Sequence, residues 1–76
     1  MEAVRWYRLA ADQGHAAAQF SLGNAYNNGD GVEEDKVEAV RWYRLAADQG
    51  DARAQINLGL AYHNGDGVEE DKVEAD

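Results

Sequence analysis

The fold of this chain is decided by residues 16–50, which read AAAQFSLGNAYNNGDGVEEDKVEAVRWYRLAADQG. Residues 38–50 close this stretch, and residues 2–14 have the same sequence without a change. Residues 52–64 repeat the beginning of the stretch with a few substitutions, so the copies are 36 residues apart. A period of about 20 to 50 residues is typical of a solenoid or another array of stacked units. The sequence therefore predicts a repeat protein.

Each unit is predicted to hold two helices, which we call helix A and helix B. Apolar residues recur at helical spacing in both segments, and on helix B they cover more than half of the circumference, as expected for a helix packed between two neighbours. Asp35, with Glu38 three residues later, resembles a capping box that starts helix B. Gly50 is placed to end it. The fold class that follows is an all-α solenoid with about four helices and a C-terminal stub.

Two glycines inside helix A call for a packing explanation, because a glycine there costs about 1 kcal/mol relative to alanine. We expect a bulky Trp or Tyr of a helix B to approach Gly23 and Gly59 closely. On this expectation, Gly59→Leu overpacks the contact and unfolds the domain. Trp42-Tyr43 is interpreted as a packing wedge rather than a ligand platform, and Arg41 and Arg44 as an exposed polar stripe.

The motif A-x-A-Q-x-x-L-G-x-A-Y-x-N-G-D-G-V from Ala16, followed by residues 38–50, closely resembles the Sel1-like repeat, a relative of the tetratricopeptide repeat. The resemblance implies an α-solenoid of antiparallel helix pairs, a right-handed superhelix in which helix A lines a concave groove. It also implies work as an adaptor that holds other proteins together. In the usual register only residues 16–50 form a complete unit. Residues 2–13 then form a helix B, residues 52–64 a helix A and residues 70–76 a stub, so the chain is interpreted as a fragment of a longer array.

Charge and composition restrict the kinds of partner. Fifteen acidic residues against seven Lys and Arg give a net charge of −8, which disfavours binding to nucleic acid or to an anionic membrane surface. The chain has no Cys, and no apolar stretch approaches the ~20 residues of a membrane span. We expect a soluble protein without a signal peptide. Its compartment stays open, with the cytoplasm favoured.

No metal, cofactor or catalytic residue is predicted. The loop that follows Asn28 invites comparison with a calcium-binding EF-hand, but placing Gly31 at position 6 puts Tyr26 at position 1 and Val37 at position 12, where carboxylates are needed. A solvated glycine turn explains the same residues. His15 and His63 have no second histidine at helical spacing, and the single serine, Ser21, has no base close to it in sequence. A hydrolase is therefore the weakest interpretation.

A candidate surface for a protein or peptide partner comes from the differences between the two copies of helix A. Leaving aside His15/Asp51 at the helix start, the copies differ at positions spaced i, i+3, i+4, i+7 and i+10, within an arc of ~120°. The predicted partner-binding residues are Ala17, Phe20, Ser21, Asn24 and Asn27 with their counterparts Arg53, Ile56, Asn57, Leu60 and His63. Neutral drift on a solvent-exposed face is the alternative explanation.

Head-to-tail self-association is a second prediction, because residues 2–13 match the helix that covers the first helix A. We expect one molecule's Trp6, Tyr7 and Leu9 to pack on Leu58 and Tyr62 of the next. The leading function is thus an interaction scaffold that grips a partner segment on the concave helix A face. The alternative is a self-assembling structural spacer without a separate ligand.

Overall fold

Four helices form the part of the chain that the computed structural model describes, residues 2–65 and residue 67. They are α1 (Glu2–Asp12), α2 (Ala16–Asn28), α3 (Lys36–Asp48) and α4 (Ala52–Asn64). The residues described contain no strand, and each helix packs against the next one along the chain. The predicted all-α solenoid is confirmed. The stub at residues 70–76 lies outside the described residues.

Helix α3 begins at the residue that the capping signal indicates. Asp35 has an extended backbone, and its carboxylate accepts a hydrogen bond of 3.1 Å from the Glu38 N–H. The other half of the capping box is replaced. The Asp35 N–H donates to the Tyr26 carbonyl, whereas the Glu38 carboxylate accepts hydrogen bonds from Arg41 and from the indole N–H of Trp42. Glu38 therefore holds the side chains of α3 rather than closing its first turn.

Glycines end the two A helices in the left-handed conformation. Gly29 has φ 73° and Gly65 has φ 72°, and their N–H groups donate to the carbonyls of Ala25 and Ala61. A residue with a Cβ is strained at such dihedrals, so glycine is the residue that suits a helix end of this kind.

The first turns of α2 and α4 differ because His15 and Asp51 occupy the same position in the two copies. His15 makes no capping hydrogen bond from its side chain, whereas the Asp51 carboxylate accepts from the Ala54 N–H at 3.1 Å and lies 2.8 Å from the Arg53 guanidinium. The hydrogen bond from Arg53, followed by that from the Ala54 backbone, lowers the pKa of Asp51 below its usual value. The start of α4 is therefore stabilised by an ionised carboxylate.

This lowered pKa predicts a pH dependence of stability. Because the pKa of Asp51 is lower in the folded than in the unfolded chain, its contribution is complete above the unfolded value of about 3.9 and is lost as the pH falls through the folded value. Asparagine caps helices well but does not titrate. We expect the free energy of unfolding of Asp51→Asn to fall less than that of the wild type as the pH drops below about 4. Urea unfolding between pH 7 and pH 2 measures this difference, with the exposed loop substitution Asp30→Asn as the matched control. Equal acid sensitivity of Asp51→Asn and the wild type would contradict the prediction.

The core lies where α2 packs between α1 and α3, and its buried cluster includes Val4, Leu22 and Trp42. Leu22, Trp42 and Tyr43 are buried, so the interpretation of Trp42-Tyr43 as a packing wedge is confirmed. Gly23 makes the expected close contact, since a Cβ there would lie 2.7 Å from two carbon atoms of the Tyr43 ring and 3.3 Å from the Ala39 carbonyl oxygen. The missing side chain of Gly23 is what lets α3 approach α2 this closely.

The corresponding expectation for Gly59 is wrong for the contacts among the described residues. A Cβ at Gly59 would meet no atom within 4 Å, in contrast to Gly23. The reason is that α4 packs on α3 through its other face, so that no tyrosine stands against Gly59 as Tyr43 does against Gly23. A leucine at position 59 would therefore not overpack a contact between the described helices.

Two arginine–tyrosine contacts join successive helices at equivalent places. Arg8 of α1 donates to the Tyr26 hydroxyl with its guanidinium 5.8 Å from the ring centroid, and Arg44 of α3 does the same to Tyr62 at 5.5 Å. Arg44 is exposed, as predicted, but its charged end is engaged with the next helix. The polar stripe of helix B thus also fastens one repeat to the next.

Candidate functional site: the helix A surface

The ten predicted partner-binding residues are divided between α2 and α4, and we call the area that they form the helix A surface. On α2, Ala17 is exposed, while Phe20, Ser21, Asn24 and Asn27 are partly buried. On α4 the balance is reversed, because Arg53, Ile56, Leu60 and His63 are exposed and Asn57 is partly buried. This part of α4 is the more open half of the helix A surface.

A cleft of about 220 Å³ separates α2 from α4 on this surface. The predicted residues Asn24, Asn27, Asn57 and Leu60 contribute to its walls. The other residues that line it are Lys36, Val40, Tyr43, Ala61 and Asn64. The structure therefore brings four of the ten predicted residues together around one concave site.

Tyr43 is the cleft residue that the sequence assigned to the core alone. Its ring is buried against Gly23, but its hydroxyl reaches the cleft and donates a hydrogen bond of 2.5 Å to Asn24 Oδ1. Burial raises the pKa of Tyr43, and a hydrogen bond with Asn57 offsets part of that effect. The hydroxyl therefore keeps its proton at neutral pH and acts as a hydrogen-bond donor.

The Asn24 side chain lies at the centre of a small hydrogen-bonded group. Its Oδ1 atom accepts from the Tyr43 hydroxyl and from Asn57 Nδ2, the latter at 3.4 Å. These three side chains come from three different helices, α2, α3 and α4. The group therefore fixes the orientation of both asparagine amides at the cleft.

One end of the cleft carries a positive charge that is already paired. Lys36 Nζ donates to the carbonyl oxygen and to Oδ1 of Asn27, at 3.0 and 3.1 Å, and lies 3.4 Å from the Glu34 carboxylate. Lys36 therefore fixes Asn27 and the start of α3, and its charge is neutralised locally.

The other end of the helix A surface is aromatic and apolar. Phe20 lies 6.0 Å from Tyr43 between ring centroids, and the Arg53 guanidinium lies 4.5 Å from the Phe20 ring while Asp51 holds it by an ion pair. Ile56 and Leu60 are 63% and 53% exposed. This end of the helix A surface therefore combines large apolar side chains with polar groups that are held in place.

A second cleft stands one repeat earlier along the molecule. Its lining includes Val4, Tyr7, Ser21, Asn24 and Ala25, each of which precedes a residue of the first cleft by 36 positions. The stacked repeats therefore generate equivalent concavities along one side of the solenoid, with different side chains at the variable positions.

The predicted self-association residues differ from their counterparts in the interior. Trp6 is 60% exposed, whereas Trp42, the same residue one repeat later, is 5% exposed. Tyr7 is 39% exposed and Tyr43 3%. The difference arises because α3 packs between two helices, while α1 packs on α2 alone among the described helices. The face of α1 that carries Trp6 and Tyr7 is therefore not covered by any other described helix.

Leu58 on α4 shows the same asymmetry from the other side of the contact. Its counterpart Leu22 is completely buried in the cluster that α1, α2 and α3 share, whereas Leu58 is only partly buried.

Among the predicted self-association residues, Leu9 and Tyr62 do not show this difference in exposure between the end and the interior of the chain. Leu9 is 47% exposed, and its counterpart Leu45 stays 42% exposed although α3 is covered on both sides. Tyr62 is engaged within the chain by Arg44. Their part in self-association remains a prediction, and the bare area of α1 consists mainly of Trp6 and Tyr7.

The described part of the chain offers neither a cluster of metal ligands nor a helix suited to span a membrane. No group of three or more His, Cys, Asp or Glu side chains there is arranged to hold a metal ion. None of the helices in that part has the length and apolar character to cross a membrane.

Comparison with known proteins places this geometry in a family. The family model described as Sel1 repeat matches residues 1–15, 16–51 and 52–75. Two curated relatives, each an exopolysaccharide production negative regulator, come from Rhizobium leguminosarum bv. viciae and Rhizobium meliloti (strain 1021). Each is 49% identical over 37 residues, which is 49% of this chain but only 14% of the relative.

Two solved structures share the fold over nearly the whole chain. The crystal structure of a Sel1 repeat protein from Oxalobacter formigenes is similar with a TM-score of 0.92 and 44% identity, over 95% of this chain and 30% of that one. A protective antigen present in uropathogenic Escherichia coli strains, which displays an SLR fold, gives a TM-score of 0.94 and 50% identity over 95% of this chain and 15% of its own. The chain thus spans less than a third of either protein. With three matched segments that together cover almost all of its residues, the chain belongs to the Sel1 repeat family.

Proposed function

We propose that this chain is a protein-interaction module that binds a segment of a partner protein on the helix A surface. Sel1 repeat proteins generally serve as protein-interaction scaffolds, and the fold is generally not a catalytic one. The binding face and the kind of segment that it holds are our additions to this general role. No hydrolase activity is proposed.

The observation that carries the proposal is the cleft between α2 and α4 with its two kinds of wall. A hydrogen-bonded group of Tyr43, Asn24 and Asn57 forms its polar part, while Leu60 and the neighbouring Ile56 remain more than half exposed. Burying apolar side chains under a partner contributes favourable free energy of binding. Polar groups held in place then determine the orientation of the bound segment. Ile56 and Leu60 are four residues apart on α4 and therefore neighbours on its surface, and adjacent exposed apolar side chains are typical of interaction sites.

The proposal is tested by selecting peptides that bind the chain from a random display library and measuring their affinity for two variants. Leu60→Asp is expected to weaken binding about tenfold or more, because covering a leucine contributes about 1.5 to 3 kcal/mol. The matched control is Leu45→Asp, because Leu45 is similarly exposed but lies on α3, outside the cleft. This substitution should alter the affinity by less than about threefold. Thermal unfolding checks that both variants fold. Selected peptides that bind Leu60→Asp as tightly as the wild type would contradict the proposal.

Head-to-tail self-association is a second candidate function, and the exposure of Trp6 favours it. Trp6 and Tyr7 have the same neighbours in sequence as Trp42 and Tyr43, the α3 residues that cover α2. In the proposed contact they pack on α4 of a second molecule, at Leu58 and Gly59. The two joined patches differ, so the contact is heterologous and propagates unless the geometry closes.

This contact would be weaker than the one inside the chain. Tyr43 donates to Asn24, but the position equivalent to Asn24 on α4 is Leu60, so a Tyr7 hydroxyl loses that acceptor. We therefore expect association at high concentration rather than a permanent filament. Sedimentation over a wide concentration range tests this, and a strictly monomeric folded chain at about millimolar concentration, where even weak contacts form, would contradict it.

A further inference from the structure

We infer that a hydrogen bond from Gln13 of one molecule to Gln55 of the next fixes the register of the head-to-tail contact and selects a second copy of this chain as the occupant of α4. This inference rests on the self-association proposed above as a second candidate function, and it names the polar contact that makes that association specific. Two glutamines at opposite ends of the molecule carry it, because their equivalents in the interior are bonded to each other.

In the interior, one glutamine of helix A joins the helix before it to the helix after it. Gln19 Nε2 donates to the Ala11 carbonyl of α1 at 3.2 Å, and Gln19 Oε1 accepts from Gln49 Nε2 of α3 at 2.7 Å. Gln19 is only 4% exposed. A buried amide costs free energy unless it is hydrogen-bonded. The helix that covers α2 must therefore bring a donor to Gln19.

Gln55 of α4 repeats the first half of this arrangement. Its Nε2 atom donates to the Ala47 carbonyl of α3 at 3.1 Å, as Gln19 Nε2 donates to the carbonyl of Ala11. This bond fixes the side-chain amide, because the nitrogen is its donor and the oxygen its acceptor. Gln55 is exposed, in contrast to Gln19. Its Oε1 atom is thus placed to accept from a helix that covers α4.

Gln13 of α1 carries the donor that this arrangement calls for. The sequence around Gln13 is identical to that around Gln49, yet the two side chains have different partners. Gln49 reaches across to α2, whereas Gln13 Nε2 donates to the Leu9 carbonyl of its own helix at 3.2 Å. The bond within α1 is exposed, so exchanging it for a bond to Gln55 of a second molecule gives Gln13 the same partner that Gln49 has in the interior.

The hydrogen bond restricts which helix can lie on α4. A polar group within an apolar helix contact fixes the register, because a shifted helix leaves that group unpaired. Gln13 lies seven residues after Trp6, the spacing that α3 has as well. Trp6 is therefore in place on α4 when Gln13 reaches Gln55. A helix with apolar side chains alone would bury Gln55 Oε1 without a donor, which weakens its binding. The occupant that fits is α1 of a second copy.

The test uses two variants that together form a single head-to-tail contact. Trp6→Ala removes the wedge of α1 and leaves α4 able to receive a partner. Gly59→Leu fills the receiving face of α4 and leaves α1 intact, because the same contact in the interior places the Tyr43 ring 2.7 Å from a Cβ at Gly23. Gly59→Ala, which adds only the Cβ, is the second variant of this kind. In the mixture, the position 59 variant supplies Gln13 and the Trp6→Ala variant supplies Gln55.

Sedimentation of this mixture over a range of concentrations measures the affinity of the contact. We expect Gln13→Ala in the position 59 variant to weaken it about tenfold, and Gln55→Ala in the Trp6→Ala variant to do the same. Combining the two should cost less than about threefold more than either alone, because each removes the same bond. The matched control exchanges the two substitutions between the components, where neither residue lies in the contact, and should change the affinity by less than about threefold.

Thermal unfolding shows that each variant folds, and Gln49→Ala is the reference for the interior. Gln49→Ala should lower the thermal midpoint, since Gln19 stays buried without its donor, and should leave the affinity of the mixture unchanged. Association that depends on Trp6 but shows no coupling between Gln13 and Gln55 overturns the inference and leaves head-to-tail self-association standing. An equal effect of the exchanged substitutions also overturns the inference. A mixture that stays monomeric at about millimolar concentration overturns both.

Discussion

Trp42→Ala is expected to lower the free energy of unfolding by about 3 to 5 kcal/mol, the usual cost of truncating a buried tryptophan. Trp42 is 5% exposed and its indole N–H donates to the Glu38 carboxylate, so the substitution leaves a cavity and removes a hydrogen bond. A domain of this size has little stability in reserve. Urea or thermal unfolding followed by circular dichroism should find the variant largely unfolded at room temperature.

The repeat supplies a matched control for this prediction, because Trp6 has the same neighbours in sequence. Trp6 is mostly exposed, so Trp6→Ala should cost less than about 1 kcal/mol under conditions where the chain is monomeric. In sedimentation experiments the same variant should lose the oligomers that we expect the wild type to form at high concentration. Equal destabilisation by the two substitutions would show that α1 is as covered as α3, against the structure.

Gly23→Leu is the second substitution with a large expected effect. A Cβ at this position already falls 2.7 Å from two ring atoms of Tyr43, and the ring has no room to move because it is buried and its hydroxyl is held by Asn24. The backbone oxygen of Ala39 closes the other side at 3.3 Å. Overpacking of a tight core costs about 1 to 3 kcal/mol or more, so α2 and α3 should separate and the thermal midpoint should fall steeply.

Gly59→Leu is the internal comparison, since the two glycines have the same flanking Leu and Ala positions in the repeat. Open space lies around Gly59 among the described residues, and replacing a helical glycine by leucine gains up to about 1 kcal/mol of helix propensity. The monomer should therefore be unchanged or slightly more stable. If Gly59→Leu unfolds the chain as Gly23→Leu does, α4 must be packed on both faces.

The sequence predicts the packing where a contact lies inside one repeat. Asp35 caps α3, Trp42 and Tyr43 are buried, and Gly23 receives the Tyr43 ring, each as the residue pattern indicates. These contacts follow from local spacing and from the size of the side chains. The all-α solenoid could be predicted for the same reason.

Identity between repeats misleads at the positions whose environment depends on the neighbouring helix. Gly59 has nearly the same sequence neighbours as Gly23, yet the contacts of the two glycines differ. The residue types of a helix determine which helix could pack on it, but they do not determine whether such a helix is present. The same limit explains Trp6, which is identical in context to Trp42 but exposed.

Parts of the candidate site also depend on three-dimensional contacts that a linear pattern does not contain. Arg44 lies on a polar stripe, and nothing in its spacing indicates that it reaches Tyr62 of the next helix. Tyr43 looks like a core residue from its neighbours, yet its hydroxyl joins the cleft. Variation between copies indicated Asn24 and Asn57 as candidate binding residues, but their mutual hydrogen bond comes only from the structure.

Nuclear magnetic resonance can show whether a partner segment lies on the helix A surface. An isotope-labelled chain is titrated with a display-selected peptide, and the backbone and asparagine side-chain amide shifts are followed. We predict that the largest shift changes occur at Asn24, Asn57 and Leu60, with the Asn24 and Asn57 side-chain amides among them. Shift changes confined to the outward residues of α1 and α3, such as Arg41 and Leu45, would show that the partner binds elsewhere.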